Sequence, residues 1–252
     1  MTPYYSDSLV SLYLGDCRVV LPALGVTADC IIADPPYGET SLEWDRWPDG
    51  WLDVAATVTR SLWCFGSLRL FMQRRDEFAA HWNFSQEIVW EKHNGSGLRN
   101  DRFRRVHEQV AHWYRGAWRD VYHEVPREAS AGKRADHFAV RGKPVHMANG
   151  GAARFTKGYE DDGTRLAPSV VRVANLWKRG AIHPTEKPVG LLDLLIEYAC
   201  PMGGLVIDPF AGSGSTLDAA RCAGRRAVGI ELHEPYAEAA AKRLSQMFLE
   251  AS

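Results

Sequence analysis

Four consecutive residues, Asp34-Pro35-Pro36-Tyr37, have the types and the spacing to do chemistry. They follow the run Ala28-Asp29-Cys30-Ile31-Ile32-Ala33, whose apolar end reads as a short buried strand. Two prolines donate no N–H and fix φ, so the chain must leave a sheet there. A carboxylate, an X-Pro carbonyl and an aromatic ring are thereby brought to the carboxyl edge of a sheet, where open α/β folds bind ligands. Carboxylate and carbonyl both accept hydrogen bonds, and an exocyclic amine offers two N–H donors. Accepting both hydrogens draws such an amine toward tetrahedral geometry and frees its lone pair, while Tyr37 can stack on the heterocycle. The simpler alternative is a tight turn with a capping aspartate.

A second group of residues lies near the end of the chain. Gly204-Leu205-Val206-Ile207 reads as a strand that runs into Asp208-Pro209-Phe210-Ala211-Gly212-Ser213-Gly214-Ser215-Thr216. A helix to about Ala223 and the strand Arg226-Ala227-Val228-Gly229-Ile230-Glu231 complete a βαβ unit. A glycine-rich first turn and an acidic residue about 20 positions on, at the end of the second strand, suit a nucleoside. Gly212 and Gly214 let backbone approach a ligand closely, and Glu231 can hold a ribose diol. The turn is not G-x-G-x-x-G and no Walker lysine follows, which disfavours triphosphate. Asp16, after Gly15 at the end of the strand over 9–15, is either a ligand contact or the N-cap of a helix over 17–24.

Seven strands are expected to position these groups: residues 9–15, 29–34, 67–72, 86–91, 108–114, 204–208 and 226–231. Helices are expected over 52–61, over 189–199 and over 234–249. The segment 38–53, with Trp44, Trp47 and Trp51, is either a lid over the site or a packing loop. Between the paired strands 86–91 and 108–114, a Gly-rich loop carries Arg99, Arg102, Arg104 and Arg105, suited to phosphate contact or to plain solvation. Beyond it, 116–179 is charged and weakly periodic, and includes Lys133 and Arg134.

The formal net charge of −1 conceals a division. Residues 90–179 hold 18 Lys and Arg against 10 Asp and Glu, a net +8, and the remainder has a net −9. That is the footprint of one region that meets a polyanion. At 252 residues of ordinary composition, a soluble chain with one large core is expected. No charged-then-apolar leader and no long apolar run is seen, so a cytoplasmic location without a membrane span is expected. The five cysteines are scattered with no C-x-x-C pair, which suggests buried reduced thiols rather than disulfides or zinc.

Asp34-Pro35-Pro36-Tyr37 together with Asp208-Pro209-Phe210-Ala211-Gly212-Ser213-Gly214 resembles the amino-group DNA methyltransferases that use S-adenosylmethionine. The order is tetrapeptide, basic region, His183-Pro184-Thr185-Glu186-Lys187-Pro188, then cofactor turn. It is similar to the circularly permuted β class of adenine-N6 and cytosine-N4 enzymes. The resemblance covers residues 8–116 and 175–248. It implies a Rossmann-like α/β fold, a seven-stranded, mostly parallel sheet with one reversed strand and helices on both faces. It divides the chain into a catalytic half (1–116), a basic target-recognition insert (117–178) and an S-adenosylmethionine-binding half (179–252). By that resemblance, Asp34 and the Pro35 carbonyl accept the amine's hydrogens and Tyr37 stacks on a base flipped from duplex DNA. Pro36 completes the catalytic turn. His183, Thr185, Lys187, Asp208, Phe210, Gly212, Gly214, Ser215 and Asp34 surround the cofactor, with Glu231 on its ribose and Asp16 on its adenine amine. Thr185 and Lys187 match the segment that holds the methionine moiety. No metal is implied, and a homodimer is one way for a chain of this size to grip DNA. Asp rather than Ser at the first position favours adenine-N6 over cytosine-N4. A protein-glutamine methyltransferase is less consistent, because those enzymes begin the tetrapeptide with Asn and place the cofactor turn first.

Overall fold

The computed structural model describes residues 1–41, 45–96, 101, 103–129, 162–173 and 187–250. In chain order, β1 (Tyr5–Ser6), β2 (Val10–Leu14), α1 (Cys17–Leu24) and β3 (Cys30–Ala33) come first. Then follow α2 (Trp51–Val58), β4 (Ser61–Gly66), α3 (Leu68–Gln73), α4 (Arg75–Ala79), β5 (Asn83–Ser96) and β6 (Arg105–Tyr114). A 3₁₀ turn (Trp118–Asp120) precedes the short strands β7 (Arg127–Ala129), β8 (Thr164–Leu166) and β9 (Val170–Val171). The chain closes with α5 (Val189–Ala199), β10 (Leu205–Asp208), α6 (Ser215–Cys222), β11 (Arg226–Glu231) and α7 (Glu234–Glu250).

Two compact units result, Met1–Glu124 with Pro168–Ser252, and Val125–Ala167. In the second, β7 and β8 pair antiparallel, and Arg127 with Asp162 and Arg165 with Glu128 form surface ion pairs. The first holds a nine-stranded sheet in the order β1-β2-β11-β10-β3-β4-β6-β5-β9. β2, β11, β10, β3 and β4 are mutually parallel, and β6 runs against both of its neighbours. Seven strands with one reversed, the number expected, form the body of the sheet, six of them at expected positions. β1 and β9, two residues each, extend its edges.

Side-chain alternation explains why both faces are covered. In β3, Cys30 and Ile32 enter one apolar cluster, and Ile31 and Ala33 enter the other. Trp63 and Phe65 of β4 join the first cluster, and Leu62 and Cys64 join the second. The first packs under α5, α6 and α7 through Leu191, Leu195, Leu217, Ala240 and Leu244. The second packs under α1 and α2 through Val20, Leu21, Leu52 and Ala55. Strands buried on both faces read as continuous apolar runs, which is why β3, β4 and β10 carry almost no polar residue. Cys17, Cys30, Cys64 and Cys200 are buried free thiols, and Cys222 is exposed. No helix among the described residues is long and apolar enough to cross a membrane.

One expected strand is misplaced. Residues 67–72 are not a strand but lie mostly in α3, and the strand is β4, one segment earlier, where a helix was expected to be ending. Ser67 is the N-cap of α3, its Oγ accepting the Leu70 N–H at 3.0 Å. Leu68 and Met72, four apart, both lie on the exposed face, while Leu70 is buried. The spacing of two that suggests a strand here is also a helical spacing of four.

Candidate active site

Parallel strands end at a common edge, and this chain puts an acidic residue at four adjacent ends. Asp16 lies just past β2, Glu231 closes β11, Asp208 closes β10, and Asp34 follows β3. The registers Glu231↔Leu14 and Asp208↔Gly229 keep these ends level. The reversed β6 begins at the same edge, because Gly66 at the end of β4 pairs with Gln109.

Asp34 sits in a chain of alternating charges. Its Oδ2 accepts from Lys187 Nζ at 2.6 Å, and its Oδ1 accepts from the Tyr37 hydroxyl at 2.8 Å. Lys187 Nζ also lies 3.1 Å from Glu108 Oε1, and the Tyr37 hydroxyl lies 3.0 Å from that same oxygen. Lys92 pairs with Glu108 Oε2. Lys187 and Glu108 are only 8% and 6% exposed. Burying either charge alone would be costly, and the alternation of sign is what makes both tolerable. Burial works against ionisation of Glu108, but the Lys187 and Lys92 ammonium groups prevail and hold its carboxyl down to about 2. Burial likewise opposes the charge on Lys187, and Asp34 and Glu108 overcome it and raise its pKa. Burial, then the charges of Asp34 and Glu108, pushes the Tyr37 phenol well above its ordinary value, so it remains a hydrogen-bond donor.

The glycine-rich turn is held by the next strand. Ala211 N–H donates to the Ile230 carbonyl at 2.8 Å, and Gly212 N–H donates to Glu231 Oε2 at 2.8 Å. The other Glu231 oxygen accepts from His233 N–H at 2.8 Å, so both carboxylate oxygens are oriented by backbone. Gly214 is the N-cap of α6 with φ +80°, and a Cβ there would lie 3.2 Å from Ala240 Cβ. Its glycine serves close packing of α7 as well as the turn. The Ser215 hydroxyl accepts from Arg243 Nη1 at 3.0 Å. Phe210 meets the buried Trp51 edge-to-face, centroids 5.2 Å apart. Burial pushes the Asp208 carboxyl up to about 7, with the charges of Asp34 and Glu231 adding to it, against the Thr216 hydroxyl and Phe210 N–H that bond it.

Other expectations resolve individually. Asp16 is the N-cap of α1, accepting from Arg18 N–H at 2.9 Å, and it also forms a two-pronged pair with the Arg18 guanidinium. Trp47 and Trp51 are core residues rather than parts of a lid, and Trp44 lies outside the described residues. Arg104 is exposed, and Arg105 Nη1 lies 3.8 Å from Glu39 Oε2. Glu39, Arg105, Ser67, Arg69 and His107 line a cavity of about 380 Å³. His183, Thr185, Arg99, Arg102, Lys133 and Arg134 lie outside the described residues.

A family model described as DNA methylase, of the N6 and N4 type, matches residues 28–242. The chain belongs to that family. The methylase spans both the tetrapeptide and the glycine-rich turn within the matched region. It is 27% identical over 272 aligned positions to the type II methyltransferase M.ScaI of Streptomyces caespitosus, covering 96% of this chain and 83% of that protein. YubD of Escherichia coli (strain K12), which carries the name of a methylase, is 56% identical over 63 residues. That match spans 25% of this chain and only 28% of YubD. Among solved structures, the M1.HpyAVI–SAM complex aligns with a TM-score of 0.62 at 21% identity, covering 93% of this methylase and all of that chain. This last likeness concerns the fold.

Glu108 and Lys92 were missing from the residues singled out by sequence. A signal for Glu108 was present: it shares the period-two face of β6 with the buried Val110 and His112. A carboxylate on an otherwise buried face needs a cation, and no local spacing says that the cation is Lys187, 79 positions away.

Proposed function

We propose that this methylase transfers a methyl group from S-adenosylmethionine to the N6 amine of an adenine flipped out of duplex DNA. The observation that carries the reading is Asp34, a carboxylate on the carboxyl edge of a parallel sheet, followed by the Pro35 carbonyl and flanked by the glycine-rich turn of β10. Two acceptors on one amine favour the pyramidal nitrogen that attack requires, so catalysis rests on positioning and acceptor geometry. S-adenosylmethionine supplies an electrophilic methyl group on a sulfonium.

The donor set fits such a cofactor. Glu231 presents two backbone-oriented oxygens suited to a ribose diol, the Phe210 ring is half-buried, and Gly212 and Gly214 keep the turn narrow. Asp16 would reach the adenine amine with the capacity left after capping α1. His183, Thr185 and Lys187 would face the methionine end, with Asp208 and Ser215 shaping the wall. Lys187 already neutralises Asp34 and Glu108, so any cofactor carboxylate shares its ammonium with them. Arg99, Arg102, Arg104, Arg105, Lys133 and Arg134 would meet phosphate, consistent with the net +8 of residues 90–179. Preference for adenine over cytosine rests on Asp at the first position of the tetrapeptide.

The test is transfer of labelled methyl from S-adenosylmethionine to unmethylated bacterial DNA, followed by nucleoside analysis. Label in N6-methyladenine is expected. Label in N4-methylcytosine would overturn the base, and no label in DNA would overturn the substrate.

A further inference from the structure

The Tyr37 hydroxyl and the Lys187 ammonium each touch the same two carboxylates. Tyr37 lies 2.8 Å from Asp34 and 3.0 Å from Glu108, and Lys187 lies 2.6 Å and 3.1 Å from them. The four groups therefore close a ring in which donors and acceptors alternate. A hydroxyl has one proton, so Tyr37 donates fully to one carboxylate at a time. While that proton points at Asp34 Oδ1, it competes with any amine hydrogen for the same oxygen. Glu108 lies close enough to take it with little movement of the Tyr37 ring. Its other oxygen is held by Lys92, and β6 fixes its backbone, so its position does not depend on a substrate.

We infer that Glu108 is a positioning residue: it gives the Tyr37 hydroxyl and the Lys187 ammonium a second acceptor, which frees Asp34 to turn its lone pairs to the target amine. The inference rests on the proposed methyl transfer. It assigns Tyr37 a switching hydroxyl in addition to a stacking ring. Lys187 becomes a shared counter-ion that keeps the buried Glu108 and the partly exposed Asp34 carboxylates side by side. No bond to the substrate is made by Glu108 itself.

The inference predicts coupling between residues 108 and 37. Glu108→Ala, Tyr37→Phe and the double variant would be compared in single-turnover methyl transfer, with S-adenosylmethionine affinity and melting measured in parallel. Losing a charge-assisted acceptor should slow transfer by about 30-fold in Glu108→Ala. Cofactor affinity should not fall, because the Lys187 ammonium is then shared with one carboxylate fewer. Adding Tyr37→Phe removes the hydroxyl that is stranded on Asp34, and the double variant should recover about tenfold over Glu108→Ala. Glu108→Gln, which retains one acceptor oxygen, should fall between parent and alanine variant. If the alanine variant does not fold, Glu108→Gln with and without Tyr37→Phe makes the same comparison. A folded Glu108 variant at the parent rate would overturn the inference. So would a Tyr37→Phe cost that is the same with and without Glu108. A parent chain that leaves DNA unlabelled would overturn the methyl-transfer reading too, so the two failures are distinct.

Discussion

Asp208 and Glu108 both carry carboxyl groups into the interior, and their surroundings move them in opposite directions. Glu108 is held down to about 2 because two ammonium groups outweigh its burial. The folded state thus binds its proton less readily than the unfolded state does. Its contribution is present above the unfolded pKa near 4.5 and is lost as the pH falls toward 2. Asp208 is pushed up to about 7, so the folded state keeps a proton that the unfolded chain releases near 3.8. Its contribution is complete below that value and is lost as the pH rises to 7. Asp208→Asn should therefore flatten the fall in stability between these pH values, and it should exceed the parent above pH 7 by roughly 2–4 kcal/mol. Denaturant melts of both proteins across pH 4–8 check this, and parallel curves would contradict it. Asp34, Asp208 and Glu231 could be found from sequence because each ends an apolar run beside proline or a strand boundary. Glu108 could not, because its meaning depends on Lys187 and Tyr37, which only the sheet order brings together.

At the level of elements, the glycine-rich turn keeps its shape because α6 and β11 pack very closely. A Cβ on Gly229 would lie 2.5 Å from Leu217 Cδ1 and 3.1 Å from Ala211 Cβ. Leu217 is fully buried and Ala211 belongs to the turn, so neither has free space to yield. Gly229→Ala should cost about 1–3 kcal/mol, seen as a melting temperature lower by roughly 2–10 °C. An unchanged melting temperature would show that α6 can move away without cost. The same closeness explains why this βαβ unit was readable: turn, spacing and terminal glutamate are all local. Six of the expected strands were likewise signalled by local apolar runs. The seventh was displaced because Leu68 and Leu70, two apart beside Phe71, suggest a strand while Ser67 caps a helix. The edge strands β1 and β9, two residues each, are too short for any periodicity.

Across the whole chain, the net charge of −1 divides into +8 over residues 90–179 and −9 elsewhere. The proposed DNA contact should therefore weaken steeply with salt, and exposed Arg104 should account for part of the slope. Arg104→Ala is expected to reduce the slope of log affinity against log salt by about 0.9, measured by anisotropy of a labelled duplex. An unchanged slope would remove Arg104 from the DNA contact. The charge division was legible in composition alone, whereas the pairing of Arg105 with Glu39 needed the sheet to bring β6 beside the tetrapeptide. The central claim is that the Asp34 carboxylate accepts the hydrogens of the amine that is methylated. It is tested most directly by single-turnover methyl transfer to DNA with Asp34→Ala at saturating S-adenosylmethionine, with cofactor binding verified for the variant. Loss of an acceptor aimed at the reacting nitrogen predicts a fall of at least about 100-fold. A variant that binds cofactor and transfers methyl within about tenfold of the parent would contradict the account.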